Sequence, residues 1–196
     1  MREVTVKLYK FDEMSDAAKV KARDWFREIS VDDSTWAEPV ELDAKEIAGM
    51  FGILEPELHW SGFGSQGDGA SVSGRWYAHG VDLSALEKHA PKDEELQSYL
   101  RCIHNNCAQH LDMVGTLTSI GHYSHEHSID FNFECAERAW TETQEGEVIA
   151  AFRNFMSWVY AQLEAEYIYR RSDEAIEEDI EANQYEFLES GKRLSV

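Results

Sequence analysis

The sequence predicts one α+β domain: a four-stranded antiparallel sheet, built from two hairpins, packed against a long C-terminal helix and flanking helices. Three observations carry this. Apolar residues recur at helical spacing toward both ends of the chain, and the period changes to two at two places between them. No repeat, linker or low-complexity segment divides the 196 residues, a length that suits a single core.

Each element has its own signal. "EVTVKLYKF" alternates and reads as a short strand or extended lead-in. Ser15 stands where a helix N-cap belongs, and Ala18, Ala22, Trp25, Phe26 and Ile29 follow at helical spacing. After "SVDDST", Val40, Ala44, Ile47, Ala48 and Phe51 trace a second helix ending near Gly52, with Pro39 in its first turn. "ELHWSGF" and "ASVSGRWYAH" then read as strands joined by a glycine-rich loop. A short turn of helix follows in "VDLSALEKHAPKD". Leu96, Leu100, Ile103, Cys107 and Leu111 mark a third substantial helix. "MVGTLTSIGHY" and "SIDFNFECAE" form the second hairpin, with Ile129, Phe131, Phe133 and Cys135 on one face and Asp130, Asn132 and Glu134 on the other. From Gln144, a stripe running through Val148, Phe152, Phe155, Val159 and Leu163 to Tyr167 defines the long helix. Ser172 caps a final helix carrying Ile176, Ile180 and Phe187.

Composition narrows the partner. A 43% hydrophobic and 12% aromatic content supports a packed core rather than disorder. With 38 acids against 18 bases the net charge is −20, which repels phosphate backbones and anionic lipid. Nucleic acid and membrane are therefore disfavoured as direct partners, and basic protein surfaces or cations are favoured. No apolar run reaches the roughly 18 residues that a bilayer span needs. The N-terminal stretch shows no signal-peptide pattern, and Cys102, Cys107 and Cys135 read as reduced thiols, so a cytoplasmic setting is expected.

Acids cluster in two places. Residues 172 to 189 carry eight acids and no base; residues 30 to 60 carry eight acids against Lys45 alone. Such runs are either solvated faces that keep an acidic protein soluble or an anionic surface for an Arg/Lys-rich partner. Self-repulsion makes so many unpaired acids costly to keep, which favours binding. Glu174, Glu177, Glu178 and Glu181 are the candidate contact residues. Gln66 and Asp68 join them from the loop "WSGFGSQGDGAS", which reads as a turn bonding its own backbone or as a contact at the end of the sheet. The loop is no phosphate-binding loop, since it lacks the lysine and the helix that should follow.

Chemistry has thinner support. His122, His125, His127 and Asp130 in "GHYSHEHSID" are ligand types for zinc, but their spacing fits no template. Cys102, His104, Cys107 and His110 could supply two ligands from one helix face, not four. No nucleophile elbow appears. No catalytic residue, metal ligand or cofactor is assigned, and a metal-dependent enzyme using the three hairpin histidines stands as the alternative from another class.

"WSGFGSQGDGAS", together with "KFDEMSDAAKVKARDWF", "GHYSHEHSIDF" and "FMSWVYAQLEAEYIYRRSDEAIEEDIEANQYEF", resembles a family of small acidic proteins encoded by phages and prophages and described as hypothetical or antitoxin-like. The resemblance spans nearly the whole chain and brings no catalytic residues. It implies a phage or prophage origin and a bacterial host cell. With the charge, it leads to the expectation of a protein that binds and inhibits a host macromolecular complex, as an anti-CRISPR or nucleic-acid mimic does. The partner would be a basic surface of a bacterial protein or ribonucleoprotein. An antitoxin neutralising a basic toxin is the other binding alternative.

Overall fold

The computed structural model describes residues 5–135 and 139–194. Glu3 and Val4 of the predicted lead-in, and Ala136 and Glu137 of the last predicted strand, lie outside the described residues. The fold class is the one predicted: α+β, with a four-stranded antiparallel sheet and a long helix packed on it. The elements are β1 (Tyr9–Lys10), α1 (Asp16–Ile29), α2 (Glu38–Met50), β2 (Phe51–Ser61), β3 (Gly69–Val81), α3 (Leu83–His89), α4 (Glu94–Cys107), β4 (Val114–Ser119), β5 (Ile129–Glu134), α5 (Glu142–Arg170), α6 (Asp173–Ala182) and β6 (Glu186–Phe187). Contacts gather the chain into two compact units, one of Pro39–Glu164 and one of the chain up to Glu38 together with Ala165 onward.

In Pro39–Glu164 the strand order is β2-β3-β4-β5, every neighbouring pair antiparallel. Alternation decides what each face does. Val72, Trp76 and Ala78 of β3 are buried on one side, with Ile129 of β5 and the half-buried Phe131 and Phe133 beside them. Onto that side packs α5 through Val148, Phe152, Phe155, Met156 and Val159, all fully buried. The rings interlock: Phe155 stacks on Phe51 at 4.4 Å, and Phe152 lies 5.9 Å from Phe131 and edge-on to Trp76 at 6.1 Å. Each such side chain, fully buried, contributes about 1.5–3 kcal/mol of transfer free energy. The Trp76 indole N–H donates to the Phe51 carbonyl at 2.9 Å, so this large side chain is buried without an orphaned polar atom.

Three predicted elements needed correction. Phe51 and Gly52 belong not to the second helix but to β2, which begins six residues before the predicted Glu57. A run of three buried residues, Phe51 to Ile53, continues the helical stripe in sequence, and a bulge between Leu54 and Glu57 breaks the two-residue period that would have revealed the strand. At that bulge Glu55 takes φ +51° ahead of Pro56. Leu111 lies beyond the end of α4, which stops at Cys107, and is 60% exposed.

The other unit has a core of its own. Ser15 and Ser172 cap α1 and α6 as expected, each side chain accepting from the backbone N–H three residues on. Ala18, Ala22 and Phe26 of α1 pack with Ile176 and Ile180 of α6, and with Phe11 and Phe187. Phe187 is not on the last helix. The helix ends at Ala182, Gln184 turns the chain with φ +54°, and Phe187 sits in β6, paired with Tyr9 of β1.

Candidate functional site

The acidic terminal helix α6 buries Ala175, Ile176 and Ile180, which fixes where its carboxylates point. Glu174, Glu178 and Glu181 recur at i, i+4 and i+7 and stand exposed along one face. Glu177 differs from the other three. It is half-buried and accepts from Arg23 of α1 at 2.5 Å, while Asp173 pairs with both Arg23 and Arg27. The structure therefore brings three of the four predicted contact residues together on one open stripe and commits the fourth to holding α6 on α1. In a sequence, an acid facing an arginine 154 positions away carries no local mark.

Asp68 closes the glycine loop on itself. Its carboxylate accepts from the backbone N–H of Gly64 at 2.9 Å and of Ser65 at 2.6 Å, and these bonds, with a smaller one from Ser61, hold its pKa below the ordinary value. Phe63 stacks between Trp60 and Tyr160, with centroids at 5.7 and 5.3 Å. The Tyr160 hydroxyl donates to the Gly62 carbonyl. Gln66 stands exposed at the tip. The turn reading accounts for every residue here except Gln66.

The histidines do not converge. His125 is half-buried, and its Nδ1 accepts from the His127 backbone N–H at 3.0 Å. His122 and His127 are exposed. Among the described residues no three His, Cys, Asp or Glu side chains stand close enough together to hold a metal ion. In α4, burial raises the Cys107 thiol to about 12 and, less far, the Cys102 thiol. His110 is buried edge-on against Trp140, as a core residue.

Sequence reasoning found the polar side of β5, with Asp130, Asn132 and Glu134, but missed the continuous sheet face turned away from α5 to which it belongs. On it lie Ser73, Arg75 and Tyr77 of β3, Glu57 and His59 of β2, Thr116 and Thr118 of β4, and Asn132 and Glu134 of β5. Arg75 pairs with Glu55 at 2.8 Å. The signal was present in the alternation of "ASVSGRWYAH", where the polar positions define a face as clearly as the apolar ones. Pro39–Glu164 carries 20 of the 38 acids but seven of the 18 bases, a net of −13 against −7 for the rest of the chain. Most of the excess acidity thus lies in the unit that holds the sheet.

No helix among the described residues is long and apolar enough to cross a membrane. No curated protein and no solved structure matches the chain. A family profile does match, over residues 36–173, taking in all four sheet strands and α5 and ending before Glu174. By that match, the chain belongs to the family described as a domain of unknown function, DUF8835.

Proposed function

We propose that the protein works by binding, with exposed carboxylates docking on a basic surface of a macromolecular partner. One observation carries this: Glu174, Glu178 and Glu181 stand exposed on one face of α6, while Arg23 and Arg27 of α1 are engaged by Asp173 and Glu177, and Arg170 by Glu166. Exposed charge that fold contacts do not neutralise raises encounter rates with an oppositely charged surface. The resemblance to phage and prophage proteins supports a host complex as the partner and its inhibition as the outcome, the acidic stripe competing with nucleic acid or a subunit for a cationic surface.

The test is a pull-down from bacterial lysate at low and high salt, read by mass spectrometry, with the Glu174→Lys/Glu178→Lys/Glu181→Lys variant beside the wild type. The reading predicts a basic protein or ribonucleoprotein recovered by the wild type at low salt and lost with the variant. Equal recovery by both proteins would contradict it.

A further inference from the structure

The open sheet face of Pro39–Glu164 is grooved rather than flat. A depression of about 520 Å³ runs over β2, β3 and β4, and two smaller ones of about 250 and 330 Å³ adjoin it. They share lining residues: Arg75 and Thr116 join the first to the second, Leu54 joins the first to the third, and Tyr77 joins the second to the third. The cause is local. The bulge at Leu54–Glu57 bends β2, and bulges bend and twist the strand that carries them. The result is one concave surface, with one end lined by Gly52, Leu54, Tyr77 and His79.

Two features select the occupant. Leu54 at 48% and Val114 at 38% are large apolar side chains left open to solvent on this surface. Among the described lining residues, the carboxylates of Glu55, Glu57 and Glu134 face one guanidinium, that of Arg75, and Arg75 is already paired with Glu55. The negative charge of Glu57 and Glu134 is thus left for a ligand to meet. A phosphate backbone would be repelled. We propose that this face is a docking groove for a short cationic segment of a partner protein, with lysine or arginine against Glu57 and Glu134 and one bulky apolar side chain at the Leu54–Tyr77 end.

Geometry sets the segment's length. Glu57 on β2 and Glu134 on β5 lie three strand spacings of about 4.8 Å apart and, by register, four residues of about 3.3 Å apart along the strands, so an extended segment joining them needs about six residues. The groove lies in a different unit from the α6 stripe, so this proposal stands or falls separately from that reading.

The test uses the full chain and an array of random seven-residue peptides, with poly-uridine as a nucleic-acid probe. Binders should be enriched in lysine or arginine with one aliphatic or aromatic residue. The tightest of them, titrated into ¹⁵N-labelled wild-type protein, should shift the amide signals of Arg75, Tyr77 and Thr116. The double variant Glu57→Lys/Glu134→Lys should weaken that peptide about tenfold, since exposed charge contacts each carry little and both are reversed. Glu28→Lys, at an exposed position of α1 in the other unit, should leave it unchanged. The proposal is overturned if no peptide binds more tightly than about 1 mM, if binders are not cationic, or if the shifted signals map off this face. Poly-uridine or a second copy of the chain occupying the face would overturn it too. Because the mapping uses wild-type protein, a variant that fails to fold leaves the test intact.

Discussion

Tyr123, in the loop between β4 and β5, lies against Gly67 in the loop between β2 and β3, so close that a Cβ at 67 would sit 2.4 Å from the ring. The glycine loop and the histidine loop, separate in sequence, pack at one end of the sheet. Gly67 also has φ +94°, a backbone angle that a side chain would strain. Gly67→Ala should therefore destabilise by about 1–2 kcal/mol, mainly through the backbone, because Tyr123 is exposed and can swing away. Gly52→Ala should cost more, about 3 kcal/mol, since φ there is +86° and the obstruction at 2.6 Å is the Tyr77 backbone carbonyl, which cannot move aside. Urea midpoints of both variants check the order.

Asp68 gives a pH signature. Its pKa is lowered by the backbone N–H donors of Gly64 and Ser65, so the charged form stabilises the fold. That contribution is complete above the ordinary value of 3.8 and disappears as pH falls through the lowered folded value. Asp68→Ala should thus be less stable than wild type at pH 7, with the gap closing as pH falls below 3.8. Chemical denaturation at several pH values measures it. A gap that widens in acid would contradict the assignment.

Asp93 holds two groups at once. One oxygen caps α4 at the Leu96 N–H, and the other accepts from the Trp158 indole of α5 at 2.8 Å. Asp93→Ala loses both, about 1 kcal/mol for the cap and about 1 kcal/mol for the hydrogen bond. Asp93→Asn should recover most of the cap. Thermal unfolding of the pair separates the two contributions.

The elements that sequence revealed are those whose periodicity is local. α1, α5 and β5 follow their apolar spacing over most of their length, because one face of each meets the core there; the stripe runs out at the exposed Ile29 of α1 and beyond Leu163 of α5. The first half of β2 was hidden by its bulge, and β6 by its brevity. The site was legible to the same degree. Glu174, Glu178 and Glu181 follow from helical spacing, but the Arg23–Glu177 pair and the Asp68 turn depend on contacts made only on folding. The open sheet face was readable by alternation, yet its groove arises from the bulge and from strand neighbours brought together by topology.

The histidine loop yields a prediction about metal. With His125 Nδ1 engaged by the His127 amide and the imidazoles not converging, dialysis against a chelator should leave the melting temperature unchanged. A fall of several degrees, reproduced by His122→Ala, His125→Ala and His127→Ala together, would revive the metal-enzyme alternative.

Glu177 should separate from its neighbours. Glu177→Lys places a cation beside Arg23 and should destabilise by about 1–3 kcal/mol, whereas Glu178→Lys on the exposed face should stay within about 0.5 kcal/mol. Equal effects would show that the Arg23 contact contributes nothing to the fold.

The central claim is that Glu174, Glu178 and Glu181 carry long-range attraction to a basic partner. It is tested most directly by the association rate constant of the triple lysine variant with the partner recovered from lysate, measured against ionic strength. Exposed charges are screened beyond about 8 Å at physiological salt, so the wild-type rate should fall steeply as salt rises. The variant should associate at least about tenfold more slowly at low salt, with a flat salt dependence and an unchanged fold. A variant that associates as fast as wild type at low salt would contradict the account and leave α6 a solvated face.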